Sequence, residues 1–234
     1  MRFARLPGTA LEAEAVTQIW RRSTESQGTA DVLQLSAADA REAAFKRESS
    51  GRTILHLATH GFFLRGPCVV ASATQRGVGG LSGAQPSAER NPLLLSGLAM
   101  AGANRRRTAA QDEDDGILTA EEIAALDLRA AQLVVLSACD TGLGAIRAGE
   151  GVFGLRRALR LAGAKTAIMS LWAVDDQAAL AWMSSFYNHR LIDHSSIVDA
   201  VHAASAERIS ARRAKRQSTH PFYWAGFVAD GDWR

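Results

Sequence analysis

Cys139 and His60 are the residues of this 234-residue sequence whose types and positions could support chemistry. Cys139 comes shortly after the apolar run 133–136, and an unbroken Leu/Val run next to glycine is typical of a parallel strand that is buried on both faces. His60 follows a second run of this kind, residues 53–59. A thiolate is a nucleophile, and an adjacent imidazole can accept its proton or form an ion pair with it. The two residues therefore predict nucleophilic catalysis if their strands are neighbours.

The predicted strand ends also supply groups for a reacting carbonyl. Both His60 and Cys139 are expected at the C-terminal rim of the sheet, where open α/β sheets bind ligands. Gly61 has no Cβ, so a carbonyl can approach the backbone closely, and the amides of Gly61 and Cys139 are the predicted oxyanion hole. A single cysteine next to an apolar run is usually a small core residue, so the prediction depends on the presence of both His60 and Cys139 at strand ends. His56, inside the apolar run, is predicted to be a core or locally hydrogen-bonded residue.

The elements that must position these residues alternate between helices and strands. This alternation predicts an α/β fold with a doubly wound, mostly parallel sheet and helices on both faces. Segments 67–91 and 104–115 lack periodicity and are predicted surface loops. The apolar segment 93–100 and the mixed-charge turn 105–116 that follows it are interpreted as a β-hairpin beside the main sheet. Predicted strands cover residues 31–35, 53–59, 133–138, 165–171 and 221–228. Predicted helices cover residues 12–22, 37–47, 119–126 (with a capping box at Thr119), 150–162, 176–189 and 196–212.

The composition argues against several functional classes. The net charge is only +3, and its surplus is concentrated in segments 105–107 and 208–216, which we interpret as a solvated loop and a solvated helix face, not as a nucleic-acid site. No apolar stretch reaches the roughly 18–20 residues of a membrane span. Two cysteines argue against a disulfide framework and favour a reducing compartment, so we expect a cytoplasmic protein.

Two motifs resemble those of a known family. His60-Gly61 and the SACDTG stretch at 137–142 are similar to the catalytic motifs of the caspase-like cysteine peptidases. More closely, the chain resembles the CHAT domain, a bacterial caspase-like module that is often attached to tetratricopeptide repeats. The matching stretches are LPGTALEAE (6–14), ILHLATHG (54–61), GILTAEEIAALDL (116–128), LVVLSACDTGLG (133–144), SLWAVDD (170–176) and HPFYWAGFVADGD (220–232).

The resemblance implies a single caspase-like domain over residues 1–234 that acts as a cysteine endopeptidase. By this resemblance His60 is the general base and Cys139 the nucleophile, with no metal or organic cofactor. It implies a protein or peptide substrate, and a regulatory repeat domain or partner protein. A CHAT domain carries a further strand before its LPGT-type segment, so we expect an N-terminally truncated domain that lacks its first strand. Because such a sheet exposes unpaired edges, a catalytically incompetent partner-binding or scaffold module is the alternative hypothesis.

Substrate specificity is the least determined feature of the sequence. Asp140, Asp175 and Asp176 follow predicted strand ends near the cleft, where a carboxylate would favour Arg or Lys before the scissile bond. Asp175 or Asp176 is equally interpreted as the N-cap of the next helix. Trp172 is predicted to line a substrate groove or to belong to the core. The glycines of 142–151 match neither G-x-G-x-x-G nor a Walker A motif, so we interpret them as shaping the loop after Cys139.

Overall fold

One mixed β-sheet organises the protein. The computed structural model describes residues 2–24, 31–63, 92–108, 114–140 and 150–232. The strands in these ranges are β1 (Ile54–Phe63), β2 (Ser96–Ala99), β3 (Ile117–Thr119), β4 (Leu133–Asp140), β5 (Thr166–Ser170) and β6 (Phe227–Gly231). Their order across the sheet is β3-β2-β1-β4-β5-β6.

The centre of the sheet is parallel and its edges are antiparallel. β4 pairs in parallel with β1 on one side and with β5 on the other. β2 is antiparallel to β1 and β3 is antiparallel to β2, whereas β6 is antiparallel to β5. β1, β3, β4 and β5 therefore run in one direction, which confirms the predicted α/β class and its mostly parallel sheet. β2 and β3 form the predicted hairpin, but they belong to the main sheet and do not lie beside it.

Helices cover both faces of the sheet, as predicted. One face carries α1 (Gly8–Thr24), α5 (Asp176–Tyr187) and α6 (Ile197–Ala214). The other carries α3 (Ala120–Ala124) and α4 (Glu150–Leu161), with Phe45 of α2 (Glu42–Glu48) packed against the same core. A π-helical turn, Asn188–Ile192, extends α5. Short 3-10 helices cover Ala37–Asp39, Pro92–Leu94, Ala103–Thr108 and Pro221–Tyr223. None of the helices in the described ranges is long and apolar enough to cross a membrane.

β4 is buried on both sides because its side chains alternate between two cores. Leu133 and Val135 pack with the aromatic residues of α5, and Val134 and Leu136 pack with Leu159 of α4. All four β4 residues are at most 3 % exposed. An uninterrupted apolar run fits such a strand, because neither face meets water.

Two predictions in the N-terminal region are wrong. Residues 31–35 form no strand, because they are largely exposed and their polar side chains take part instead: Asp31 pairs with Arg52, and Gln34 accepts a hydrogen bond from Thr17. The helix predicted over 37–47 is broken, since Ala37 adopts a left-handed φ of 48° and Ser36 makes no side-chain cap. The α-helix therefore begins only at Glu42.

β1 extends beyond its predicted end. His60 and Gly61 lie inside the strand, because β2 pairs with residues from His60 to Phe63 and β4 pairs with β1 as far as Gly61. The predicted loop 67–91 lies outside the described residues. Of the predicted loop 104–115, the first part belongs to the 3-10 helix Ala103–Thr108.

One side of β1 faces a cavity over residues 54–59. The carbonyl of Thr53 accepts a hydrogen bond from the Leu133 amide, so the backbone groups of alternate residues point to β4 and those of Ile54, His56 and Ala58 point away. Within the described ranges no strand pairs with this side before His60.

The cavity beside β1 measures ≈ 710 Å³. Its walls include Val16 and Trp20 of α1 and Phe45 of α2, together with charged side chains such as Glu48 and Arg52, so its lining is mixed. The cavity reaches His60 at one end of the strand.

Candidate active site

The backbone register brings the two predicted catalytic positions together. His60 of β1 is the direct partner of Cys139 of β4, and Gly61 is the partner of Asp140. Neighbouring strands lie about 4.8 Å apart. The condition that the sequence set for a Cys-His pair, two neighbouring strands, is therefore met. The side chains of Cys139 and Asp140 lie outside the described part of the structure.

The His60 imidazole is buried and held on one side only. Its ring is 5 % exposed and stacks on Phe3, with 5.6 Å between centroids and 29° between planes. Nε2 lies 2.7 Å from the carbonyl oxygen of Ala4. Because a carbonyl only accepts, Nε2 must carry the proton, which leaves the lone pair of a neutral ring on Nδ1. Nδ1 is buried and has no hydrogen-bond partner among the described residues.

The segment that holds His60 comes from the N-terminus. We call residues 3–5 the N-terminal strap. The side chain of Asn104 accepts a hydrogen bond from the Phe3 amide and donates one to the Phe3 carbonyl, both at 2.8 Å. The Phe3 ring packs with Phe62, Ala99 and other apolar residues. Sequence reasoning missed Phe3, Ala4 and Asn104, because Ala4 acts through its backbone and no local pattern links positions about one hundred residues apart.

Asp175 and Asp176 both have structural partners at helix starts. The Asp175 carboxylate accepts hydrogen bonds from the amides of Gln177 and Ala178, at 3.0 and 3.1 Å, which confirms the N-cap interpretation that the sequence left open. Asp176 accepts one from the Gly8 amide at 3.1 Å and so joins α5 to the start of α1. Their role in substrate binding stays a prediction.

Trp172 belongs to a surface aromatic cluster beyond β5. Its ring stacks on Phe222, with 6.0 Å between centroids, and its Nε1 donates to the Phe222 carbonyl at 3.0 Å. Phe222 and Tyr223 are 53 % and 44 % exposed. Trp172 is thus half-buried and not part of the two main cores. A groove-lining role remains its functional prediction.

One cluster of carboxylates in the described ranges has the geometry of a metal site, but a lysine is at its centre. Glu42, Asp114 and Glu122 surround the Lys46 ammonium, whose Nζ lies 2.6, 2.7 and 2.9 Å from their oxygens. Burial raises the pKa of Glu42 to about 7. Burial opposes a charged Lys46, but hydrogen bonds to Asp114 and the two glutamates outweigh it and raise the lysine pKa. The cluster therefore joins α2 to α3 through an internal cation.

His56 is locally hydrogen-bonded, as predicted. Its Nε2 lies 3.0 Å from a carboxylate oxygen of Glu12, and its Nδ1 lies 3.0 Å from the Tyr187 hydroxyl. Burial raises the pKa of Tyr187, so this hydroxyl stays neutral. The three side chains fix β1 against α1 and α5, and neither ring nitrogen of His56 is left for chemistry.

A sheet with helices on both faces, in which a histidine position and a cysteine position are paired on adjacent parallel strands, defines a caspase-like α/β protein. The CHAT domain family matches the chain over residues 1–232. The protein therefore belongs to the CHAT domain family, which has a caspase-like fold and is related to the cysteine peptidases.

A curated relative is also similar to this chain. Tetratricopeptide repeat protein 28 of Homo sapiens is 32% identical over 117 residues. The match covers 49% of this chain and 4% of the relative, so the chain spans only a small part of that protein's length.

Proposed function

We propose that the protein is a caspase-like cysteine endopeptidase with Cys139 as nucleophile and His60 as general base. The observation that carries the proposal is the register in which His60 and Cys139 are direct partners on parallel strands. The hydrogen bonding of the His60 ring supports the proposal, because Nε2 is bound to the Ala4 carbonyl and Nδ1 has no partner in the described residues. A base needs such a free lone pair within reach of its proton donor.

Strand alternation supports a shared face for the two residues. Leu133 and Val135 lie on the face that α1 and α5 cover, and two-residue alternation assigns position 139 to that face. On β1, Ile54 and His56 lie on the same face, which assigns His60 to it as well.

The reaction uses these two groups in turn. His60 Nδ1 takes the Cys139 proton, and the thiolate attacks the scissile carbonyl carbon. The imidazolium then donates this proton to the leaving amine nitrogen as the C–N bond breaks, which leaves a thioester. Water attacks the thioester and gives a proton to Nδ1, the C–S bond breaks, and the carboxylic acid product leaves.

We assign the oxyanion hole to the amides of Gly61 and Cys139. Both positions lie within the paired part of β1 and β4, so the proposal requires that the last pairs of this ladder open when substrate binds. An added Cβ at Gly61 would meet only ordinary contacts, the first with the Ala138 carbonyl oxygen at 3.5 Å, so packing within the fold does not itself require a glycine there.

The proposed substrate is a protein or peptide. We assign Asp140, Trp172, Asp175 and Asp176 to its binding, with the carboxylates favouring Arg or Lys before the scissile bond. A repeat domain or a repeat-containing partner is the proposed regulator, which the similarity to a tetratricopeptide repeat protein supports. The two cysteines support a cytoplasmic location.

The test is cleavage of a fluorogenic peptide library by the full-length gene product. Cys139→Ala and His60→Ala should each abolish cleavage, and His202→Ala, at an exposed position on α6, should leave it unchanged. Activity unchanged in both site variants would contradict the proposal.

A scaffold module with the same fold is the second candidate. The side of β1 that faces the cavity favours it, because no strand of the described ranges pairs with this side before His60. A peptide probe with a thiol-reactive group separates the two functions. Stoichiometric labelling of Cys139 that depends on His60 excludes the scaffold function, and absence of labelling supports it.

A further inference from the structure

We propose that Asn104 is a positioning residue for His60: its carboxamide clamps both backbone groups of Phe3 and thereby fixes the Ala4 carbonyl on His60 Nε2. The connection to activity rests on the proposed peptidase function. The structural part of the proposal stands on its own contacts.

The clamp uses both ends of one carboxamide. Oδ1 of Asn104 accepts from the Phe3 N–H and Nδ2 donates to the Phe3 C=O, each at 2.8 Å. The partners fix the orientation of the amide, because an N–H can only donate and a carbonyl can only accept. A neighbouring strand would satisfy these two backbone groups in the same way. Asn104 thus holds a segment that, within the described ranges, no strand pairs with.

Among the described residues, the strap has few other contacts that hold it. Ala4 and Arg5 are exposed, whereas Phe3 is 8 % exposed and packs against the His60 and Phe62 rings. The Phe3 ring contributes apolar burial, which does not fix the orientation of the strap backbone. The two hydrogen bonds of Asn104 fix this orientation, because they set the peptide plane that precedes the Ala4 carbonyl.

The strap contacts the proposed base through one hydrogen bond, from His60 Nε2 to the Ala4 carbonyl. With the Ala4 carbonyl in place, the Nε2 proton is fixed and the ring cannot turn without losing the 2.7 Å contact. Nδ1 then keeps its lone pair and its orientation. If the strap moves, the buried ring has neither a fixed proton nor a fixed orientation, and a misplacement of about 1 Å in an active site can cost about 10²-fold in rate.

The experiment measures the Nε2–H proton of His60 by NMR in protein labelled with ¹⁵N-histidine, with His60→Ala for assignment. In the native protein this proton should exchange slowly with water, because it is buried and hydrogen-bonded. Asn104→Ala should lose the slowly exchanging signal. Asn104→Asp keeps the acceptor for the Phe3 N–H but lacks the donor for the Phe3 C=O, so its exchange should be intermediate. This isosteric variant also carries the test if Asn104→Ala does not fold.

Asn188→Ala is the matched control, since the Asn188 amide also donates to a backbone carbonyl, that of Ser184, at 2.7 Å.

Peptide cleavage by the same variants tests the connection to activity. Asn104→Ala should lower kcat about 10²-fold with little change in KM, because the substrate groove is untouched. An unchanged Nε2–H exchange rate in both Asn104 variants would overturn the clamp even if the native protein cleaves peptides. Conversely, if the native protein cleaves no peptide but its Nε2–H signal depends on Asn104, the proposed peptidase function is overturned and the clamp stands.

Discussion

At the residue scale, His60 differs from His56 and His189 in one respect. Both ring nitrogens of His56 and of His189 are engaged by neighbouring side chains, whereas the Nδ1 of His60 has no described partner. A buried polar atom without a partner costs free energy and is usually retained for a reason. A base that waits for the proton of a thiol is such a reason.

Gly61→Ala should fold normally and keep its activity. The added Cβ would meet only ordinary van der Waals contacts, with the Ala138 carbonyl oxygen at 3.5 Å and its Cβ at 3.6 Å. Because side chains alternate along β1, the methyl group would lie on the face opposite His60, next to Ala138, so it should leave the proposed dyad untouched and kcat/KM should stay close to native. Thermal unfolding and peptide cleavage measured together check this. A variant that folds but no longer cleaves peptides would show that substrate reaches Gly61 from this face.

Glu42 should make stability depend on pH. Burial raises its pKa from 4.5 to about 7. A carboxyl whose pKa is higher in the folded than in the unfolded state gives its full stabilisation of the fold below pH 4.5. This stabilisation is lost as the pH rises through about 7. The Tm of the native protein should therefore fall relative to that of Glu42→Gln over this interval. Circular dichroism at several pH values measures the difference, with the exposed Glu14→Gln as control. A pH-independent difference would contradict the assignment.

At the element scale, the neighbours of each strand decide how much the sequence reveals. β4 was predictable because its Leu/Val run is buried on both faces, and α3 was predictable because Thr119 and Glu122 form the expected capping box. Residues 31–35 have an apolar pattern as well, but they lie at the surface and form no strand, so the pattern was misleading. The extension of β1 beyond Thr59 depends on β2, which comes more than thirty residues later in the chain.

Hydrogen exchange should alternate along β1. The amides of Leu55 and Leu57 point to β4, whereas those of Ile54, His56 and Ala58 point to the cavity and have no strand partner in the described ranges. We expect the second group to exchange faster with solvent deuterium, as residue-resolved NMR can measure. Equal protection of all five amides would show that another segment covers this edge.

At the scale of the whole molecule, the class of fold followed from the sequence. The adjacency of β1 and β4 was a condition that the sequence left open, and the support of His60 was not predicted. Buried apolar runs and helix caps are local signals, so they identify the sheet and its order of elements. The contacts of Asn104 with Phe3, and of Ala4 with His60, join distant parts of the chain through backbone atoms. Almost any residue supplies such atoms, which is why no sequence pattern marks them.

The dyad of His60 and Cys139 is the central claim, and the pH dependence of Cys139 alkylation tests it most directly. A free thiol has a pKa of about 8.5, and a neighbouring imidazolium lowers it. In a Cys68→Ser background, so that Cys139 is the only thiol, iodoacetamide should modify the native site well below that pH. His60→Ala should move the profile up to that of an ordinary thiol, and His202→Ala should not. Identical profiles for the native protein and His60→Ala would contradict the account.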